Sequence, residues 1–202
     1  SNIAGTKLLD EADLLFIFTR FLDPSDEQMK PIDDYLNRAG PVIGLRTSTH
    51  AFRNPKSTYK KYSFRYPGDE YKFGFGRQVL GESWAGHYGP NHKSSTRLDI
   101  VPKNQGHVVL SGCKDMHGMA GAYKADPEPN SVVLAMSQPL SGMEPDSATD
   151  ESKKPVPGLW VRTYQGAKGK EGRVLATTQG ASECILNDGL RRCLINGVFW
   201  TM

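Results

Sequence analysis

The sequence predicts an α/β protein, a three-layer sandwich with a mostly parallel sheet, and three observations lead to this fold class. Residues 13–18 form a short continuous apolar run, as in a strand that is buried on both faces. An amphipathic helical pattern follows, and residues 41–45 then form a second apolar run. Strand, helix and strand within about 33 residues describe a βαβ unit, whose parallel strands need a right-handed crossover.

The helix between these strands has a recognisable start and end. Ser25 and Gln28 have the spacing of a capping box, and Gly40 can end the helix. Pro31 is expected to bend or weaken the second turn. The apolar positions that recur at helical spacing are Met29, Ile32, Leu36 and Ala39.

The remaining elements are shorter. Strands are predicted at 98–101, 108–110, 132–135, 159–164 and 173–178, the last two joined by a hairpin loop. A final helix is predicted over 182–199, with a buried face of Leu186, Leu190, Cys193, Leu194 and Val198. Long loops are predicted at 51–78 and 137–158; connections beyond about 12–15 residues are usually functional or disordered.

Composition narrows the class of protein. The 202 residues suit one domain, and a net charge of +3 is too small to make nucleic acid the default partner. No apolar stretch approaches the roughly 20 residues of a membrane-spanning helix, so no membrane role is expected. Cys113, Cys184 and Cys193 form neither an even disulfide framework nor a CxxC site, which leaves the redox compartment open.

Polar side chains follow three of the strands, at the carboxyl ends where open α/β sheets bind ligands. The candidate ligand-binding residues there are Arg20, Arg46, Thr47, Ser48, Thr178 and Gln179. Their guanidinium and hydroxyl groups suit an anion or a polyhydroxylated ligand. The hydroxyls equally suit helix caps, whereas a guanidinium at a strand end usually pairs with a carboxylate or a ligand.

All five histidines lie between positions 50 and 117. His50 and His87 are predicted to act as acid and base near Arg46, because neutral-range pKa values suit proton transfer. A divalent metal is the weaker alternative, since the spacing of its donors matches no metal signature. Its ligands would be His87, His92, Asp115 and His117.

Aromatic residues surround these histidines. Trp84 and Tyr88 flank His87 in a Gly-rich stretch, and aromatic faces beside polar groups suit sugar rings. The window 51–78 holds seven Lys or Arg and eight aromatic residues, so it also admits nucleic acid or an anionic polysaccharide. Nucleic acid is disfavoured because no recognised binding motif occurs. A further alternative is that this window forms the interface of a homo-oligomer.

Four stretches in order carry a family resemblance: residues 41–52, 80–87 (Leu-Gly-Glu-Ser-Trp-Ala-Gly-His), 99–107 and 160–178. They resemble the trehalose-utilisation (ThuA-like) family of the class I glutamine amidotransferase-like superfamily. The resemblance implies a flavodoxin-like fold and a role in bacterial carbohydrate metabolism, with a small-molecule carbohydrate as partner. It leaves the cofactor unknown and the compartment open between the cytoplasm and the periplasm or secretion.

The chain departs from the superfamily at its catalytic positions. Arg46 stands where amidotransferases present a nucleophilic cysteine, and residues 178–181 contain no histidine to act as base. ThuA-like proteins often have His in place of Arg46 and Gly-His in place of Gly180-Ala181. We therefore expect no glutaminase activity. An enzyme would be a hydrolase or a proton-transfer enzyme on a sugar derivative; the alternative is a non-catalytic carbohydrate-binding or regulatory domain.

The start of the chain carries a last expectation. It opens on Ser1-Asn2-Ile3 without a methionine, and the family pattern would place another βαβ portion before it. We expect one ThuA-like domain over 1–202 that lacks its N-terminal strands. Its sheet should then have an edge that is exposed or covered by a partner.

Overall fold

A computed structural model describes residues 2–90 and 92–202; Ser1, where the predicted N-terminal stretch begins, lies outside the described residues. This part of the chain contains a sheet of seven strands and two α-helices. The strands are β1 (Leu15–Ile17), β2 (Val42–Leu45), β3 (Thr96–Ile100), β4 (His117–Gly118), β5 (Val132–Pro139), β6 (Val156–Gln165) and β7 (Glu171–Thr177). The helices are α1 (Asp26–Asn37) and α2 (Asp188–Thr201).

The sheet is mixed, in the order β1-β2-β7-β6-β5-β3-β4. Strands β1, β2 and β7 are parallel, whereas every pairing from β7 through β6, β5 and β3 to β4 is antiparallel. The predicted α/β class is confirmed, but the expectation of a mostly parallel, flavodoxin-like sheet is wrong. The physical reason lies in the connections: β1 and β2 are joined through α1, whereas the loop 140–155 joins β5 to β6 and the short link 166–170 joins β6 to β7, neither with a crossover α-helix.

Both faces of the sheet are covered. Val42 of β2 packs in the apolar cluster that contains α1, and its neighbour Ile43 packs in the cluster that contains α2. Neighbouring residues of a strand point to opposite faces, so one apolar run supplies both clusters. This agrees with the prediction that residues 41–45 form a second apolar strand.

The boundaries of α1 follow the sequence in part. The capping box predicted at 25–28 is present, and the helix runs through Pro31 without ending. Gly40 does not supply the left-handed turn that ends the helix; Ala39 does, with φ of 64°. Position 40 has no room for a side chain, because a Cβ there would stand 2.2 Å from the ring of Tyr35.

The strand predicted at 108–110 is a 3-10 turn, Val108–Leu110. The side chain of His107 caps this turn, with Nδ1 accepting a hydrogen bond from the backbone N–H of Val109 at 3.2 Å. A capping side chain favours a turn over a strand.

The last helix is shorter than predicted. A 3-10 turn, Ser182–Leu186, precedes it, and Asn187 then caps α2 by accepting from the backbone N–H of Leu190 at 2.8 Å. Leu186, predicted to be buried, is 78% exposed because it lies before this cap. The other predicted members of the buried face, Leu190, Cys193, Leu194 and Val198, do pack into the core beneath α2.

The two predicted long loops, 51–78 and 137–158, differ in conformation and in length. The window 51–78 is a series of short helical turns, and its buried aromatics Phe52, Tyr62 and Phe75 pack against the α1 face of the sheet. The second loop is shorter than predicted, since β5 and β6 extend into 137–158 and leave only 140–155 between them. At the end of the sheet, Phe16 and Phe18 on and beside β1 are exposed, so the prediction that residues 13–18 form a strand buried on both faces is wrong: β1 is an edge strand that pairs with β2 alone.

In the part of the chain that the structure describes, neither α-helix is long and apolar enough to cross a membrane.

Candidate functional site

Arg46 occupies the turn directly after β2. Its φ of 39° lies in the left-handed region, which is strained for a residue with a side chain. The guanidinium is only 4% exposed, and its Nη1 donates to the carbonyl oxygens of Thr178 at 3.0 Å and Gly121 at 3.2 Å. Its Cζ lies 4.5 Å from the centroid of the Tyr123 ring. Arg46 therefore begins an elbow at the carboxyl end of β2, where polar side chains were predicted.

The hydroxyls predicted around Arg46 mainly hold the turn together. Ser48 is buried and its hydroxyl donates to the carbonyl oxygen of Ile17 at 2.7 Å, which ties this turn to β1. Thr47 is half-buried on the same 3-10 turn. The contact of Ser48 supports a structural reading of its hydroxyl, whereas the ligand-binding role of Thr47 stays a prediction.

Thr178 and Gln179 follow β7 and meet the Arg46 turn, as the rule of carboxyl strand ends predicts. The hydroxyl of Thr178 lies 3.3 Å from that of Ser137, and its carbonyl accepts from Arg46. Gln179 is fully buried, and neither its Nε2 nor its Oε1 has a partner in the described structure. Both residues therefore lie beneath the site and not on its surface.

Six ring side chains form a continuous aromatic cluster over this elbow. The members of the aromatic cluster are Phe21, His50, Phe64, Trp84, His87 and Tyr123. The centroid of His50 lies 5.0 Å from that of Trp84, and Trp84 stacks on His87 at 5.8 Å. The structure thus brings together His50 from one predicted segment and Trp84 and His87 from another.

Two antiparallel segments, 81–88 and 121–128, position the outer part of the aromatic cluster. The backbone N–H of Tyr88 donates to the carbonyl of Ala122 at 2.8 Å, and that of Lys124 donates to Gly86 at 2.9 Å. His87 and Tyr123 form a bridge between the segments. The pairing fixes His87 beside Trp84, with His87 itself exposed to solvent.

His50 lies at the centre of the aromatic cluster and is only 3% exposed. Burial lowers the pKa of its imidazole to about 4, and the nearby charges of Arg20 and Arg46 act in the same direction. His50 is therefore neutral near pH 7. The premise that His50 has a pKa in the neutral range, from which the acid role followed, is not met.

His87 is the accessible imidazole of the pair. Partial burial lowers its pKa, as do the charges of Arg46 and Lys124. An exposed, neutral imidazole can accept a hydrogen bond or a proton and donate through its other nitrogen. The acid–base role of His87 stays a prediction.

The rim of the aromatic cluster carries positive charge. Arg20 is exposed, and its Cζ lies 5.1 Å from the centroid of the Phe21 ring. Lys124 places its Nζ 5.1 Å from the centroid of the Tyr88 ring. Arg20 and Tyr88, both predicted as ligand-binding residues, therefore lie at the rim of the aromatic cluster, Tyr88 beside Lys124.

The predicted metal ligands do not come together. Within 2–90 and 92–202, no group of three or more His, Cys, Asp or Glu side chains is arranged to hold a metal ion. His92 lies 3.9 Å from Glu183, His117 is buried in β4, and Asp115 is exposed in the loop before β4. The proposed set with His87 is thus not supported, because its members lie on separate elements.

Two parts of the site escaped the sequence analysis. Tyr123 lies among small residues, Ala-Gly-Ala-Tyr-Lys-Ala, and that local pattern was the available signal. Glu82 is buried beside a cleft of about 400 Å³ whose walls include Phe73, Trp84 and Arg65. Burial raises the pKa of the Glu82 carboxyl to about 7, although the backbone N–H of Asp126 donates to it. Nothing in the sequence distinguished this carboxyl from a surface glutamate.

The fold and the site define an α/β protein with a mixed sheet and an aromatic cluster at the carboxyl ends of its parallel strands. Its fold is similar to that of a protein from Bacteroides uniformis described as ThuA-like, with a TM-score of 0.60 and 12% identity over 97% of this chain and 71% of that one. A protein from Parabacteroides merdae, also described as ThuA-like, matches with a TM-score of 0.57 and 14% identity, over 96% and 71%. A cytoplasmic protein from Salmonella typhimurium matches with 0.53 and 13%, over 100% and 76%.

No protein-family model and no curated protein sequence matches the chain. The resemblance to ThuA-like proteins found in the sequence is confirmed at the level of the fold, over nearly the whole chain.

Proposed function

We propose that this protein binds a sugar or a keto-sugar at the aromatic cluster. The observation that carries the proposal is the stacked pair of Trp84 and His87, which places an indole and an exposed imidazole side by side. The C–H face of a sugar ring packs on aromatic carbon, while its hydroxyls need hydrogen-bonding groups close by. The ThuA-like fold supports bacterial carbohydrate metabolism as the setting.

The residues take different roles in this proposal. Trp84 provides the stacking surface, His87 bonds a hydroxyl or carbonyl oxygen, and Arg20 contributes a cation at the rim. Arg46 acts from below, because its guanidinium is buried and holds the carbonyls of two loops. His50 contributes its ring and not its charge, since it is neutral near pH 7.

Two measurements on the full chain test sugar binding. Glucose, trehalose and fructose are titrated while tryptophan fluorescence and the unfolding temperature are followed. A ligand at 100 times its Kd stabilises the folded state by about 2.7 kcal/mol, which a thermal-shift assay detects. We expect Trp84→Ala to abolish the effect. Trp200→Ala is the matched control: Trp200 lies on α2 and contacts His107, and neither residue belongs to the aromatic cluster. If none of the sugars binds, or if binding survives Trp84→Ala, the proposal is wrong.

A second candidate function, proton transfer on a keto-sugar, is favoured by one observation. The Glu82 carboxyl adjoins a cleft that shares Trp84 with the aromatic cluster, and burial raises its pKa to about 7. A carboxyl with a pKa near the working pH suits a general acid or base. Proton NMR of fructose in deuterated buffer would detect enzyme-dependent exchange of the hydrogens beside the carbonyl. We expect Glu82→Gln to stop any such exchange while leaving binding intact; absence of exchange in the native protein argues for a binding protein.

A further inference from the structure

Two exposed arginines border the aromatic cluster. The Cζ of Arg20 lies 5.1 Å from the centroid of the Phe21 ring. The Cζ of Arg65 lies 5.0 Å from the centroid of the Phe64 ring. The two rings are neighbours in an edge-on arrangement, with their centroids 5.4 Å apart. Both guanidinium groups are therefore held beside the aromatic cluster by their ring partners, and both remain open to solvent.

A third exposed cation belongs to the segment that positions His87. The backbone N–H of Lys124 donates to the carbonyl of Gly86 at 2.9 Å, and its Nζ lies 5.1 Å from the centroid of the Tyr88 ring. Lys124 directly follows Tyr123, whose ring belongs to the aromatic cluster. Three separate parts of the chain thus each bring one cation to the rim.

The three rim cations have no acidic partners. Within residues 2–90 and 92–202, none of Arg20, Arg65 and Lys124 forms an ion pair with an aspartate or a glutamate. By contrast, Arg77 in the neighbouring cleft is paired with Glu128. Like charges gathered on one rim repel one another, and an anion bound among them removes that repulsion.

The two imidazoles of the aromatic cluster respond to the positive charge around them. Burial lowers the pKa of His50, and the charges of Arg20 and Arg46 lower it further. Burial likewise lowers the pKa of His87, together with the charges of Arg46 and Lys124. Cations that disfavour a protonated ring favour a negative charge at the same place. The surface proposed to bind a sugar therefore has a positive potential.

The cleft beside Trp84 contains acids as well as cations. Its walls include Glu82 and Asp126 in addition to Arg65 and Arg77. Burial raises the pKa of the Glu82 carboxyl to about 7, so at pH 6 this group is largely protonated. Arg77 donates to the backbone carbonyl of Asp126 at 2.6 Å, which brings a guanidinium close to that acid. Binding of an anion is therefore best measured at pH 6, where Glu82 does not oppose it.

We propose that the ligand of the aromatic cluster is an anionic sugar, one that bears a carboxylate or a phosphate group, and that Arg20, Arg65 and Lys124 select it. This rests on the proposed sugar site and narrows its class of ligand. The sugar ring packs on Trp84, and its charged group accepts hydrogen bonds from the rim cations. Guanidinium groups pair with the oxygens of a carboxylate and of a phosphate alike. A neutral sugar forms the same stack without these charged hydrogen bonds and binds more weakly.

Calorimetric titration of the full chain at pH 6 compares glucose, glucuronate and glucose 6-phosphate, which share one ring and differ at C6. We expect at least one anionic sugar to bind about tenfold more tightly than glucose at about 10 mM salt. The advantage should shrink at about 150 mM salt, where the Debye length falls to about 8 Å. The anionic sugar that binds more tightly identifies the charged group. If glucose binds as tightly as both anionic sugars, the anionic preference is wrong and sugar binding stands; if none of the three binds, both proposals are wrong.

Charge-removing variants test the three cations. Arg20→Gln, Arg65→Gln and Lys124→Gln should each weaken binding of the preferred anionic sugar about two- to fivefold. The loss for glucose should be smaller, because glucose carries no charge. Lys168→Gln is the matched control: it removes an exposed cation from the link between β6 and β7, at the end of the sheet opposite the aromatic cluster. An equal loss in Lys168→Gln, or no loss in the three rim variants, would contradict the proposal.

Two further titrations separate a sugar site from a surface that merely collects anions. Trp84→Ala should abolish binding of the anionic sugar, because the stack is lost while the rim cations remain. Inorganic phosphate alone should bind more weakly than the preferred anionic sugar. If the anionic sugar binds Trp84→Ala as well as the native protein, or if inorganic phosphate binds as tightly as the sugar, the proposal is overturned.

Discussion

The guanidinium of Arg46 donates a hydrogen bond to the carbonyl oxygen of Thr178 at 3.0 Å, across 132 positions of sequence. The contact joins the carboxyl end of β2 to that of β7, its parallel neighbour in the sheet. Arg46 also holds Gly121 and lies against Tyr123, so one buried side chain fastens three segments beneath the aromatic cluster. Arg46 thus has a structural role at the carboxyl end of β2.

Replacement of Arg46 should therefore lower stability before it affects any ligand. Arg46→Met leaves the carbonyls of Thr178 and Gly121 without this donor, and an unpaired buried polar group costs about 1–3 kcal/mol. We expect a loss of that size for each carbonyl that no water reaches, and a smaller loss for Arg46→Lys, whose ammonium keeps a positive charge and N–H donors on a single nitrogen. Urea unfolding measures both.

Arg65→Met is the matched control for Arg46. Arg65 also has a positive φ, of 60°, and also lies over an aromatic ring, that of Phe64, but it is exposed. We expect its loss to change the free energy of unfolding by less than about 0.5 kcal/mol. Equal effects of the two substitutions would show that burial of Arg46 contributes nothing.

The convergence of Arg46 with Thr178 was predictable because it depends only on strand ends. Apolar runs locate the strands, and parallel neighbours place their following turns at one edge of the sheet. Trp84 and His87 were predictable together because they lie three positions apart in one Gly-rich segment. What the sequence could not provide was the partner segment around Tyr123, because the pairing of 81–88 with 121–128 uses backbone hydrogen bonds that leave no side-chain pattern.

The prediction of a mostly parallel sheet failed for a related reason. Periodicity shows that a strand is buried, but it does not show which neighbour the strand pairs with. The short link after β6 indicates an antiparallel pair, whereas the position of β7 beside β2 depends on long-range packing of Val42 and Val174. The environment of Glu82 was equally hidden, since burial of a single carboxyl has no signature in the sequence.

Replacement of His50 should change how stability depends on pH. Its pKa in the folded state is about 4, below the ordinary value of 6.5, because of burial and nearby cations. The contribution of neutral His50 is therefore present above pH 6.5 and is lost as the pH falls through about 4. It amounts to about 3 kcal/mol at most. We expect His50→Phe to abolish this part of the loss between pH 7 and pH 4, as measured by urea unfolding.

The matched control for His50 is Phe64→Leu, which alters the aromatic cluster without removing a titrating group. It should lower stability by the same amount at both pH values. A difference between native protein and His50→Phe that does not change with pH would contradict a depressed pKa for His50.

Glu82 should affect the pH dependence of stability in the direction opposite to that of His50. Burial raises its pKa from 4.5 to about 7 in the folded state, so its contribution to stability is fully present below pH 4.5 and is lost as the pH rises through about 7. Glu82→Gln keeps an acceptor for the N–H of Asp126. We expect this variant to remove the loss, so that its free energy of unfolding rises by up to about 3 kcal/mol relative to that of the native protein between pH 4.5 and pH 8. His50→Phe is the internal control, since it must change the slope with the reverse sign. A slope unchanged in Glu82→Gln would show that its carboxyl is ionised in the folded protein at lower pH.

Gly118 packs closely against the buried amide of Gln179 beneath the site. A Cβ at position 118 would stand 2.3 Å from Gln179 Oε1 and 2.9 Å from the sulfur of Cys184. Because Gln179 is fully buried, it has no solvent into which to move, and overpacking of this kind costs about 1–3 kcal/mol. We expect Gly118→Ala to lower the unfolding midpoint in urea accordingly. Gly106→Ala is the matched control, since a Cβ there meets nothing within 4 Å, and it should leave the midpoint unchanged. If Gly118→Ala were as stable as the native protein, the amide of Gln179 would have to be free to move, and the tight contact between β4 and the loop after β7 would be refuted.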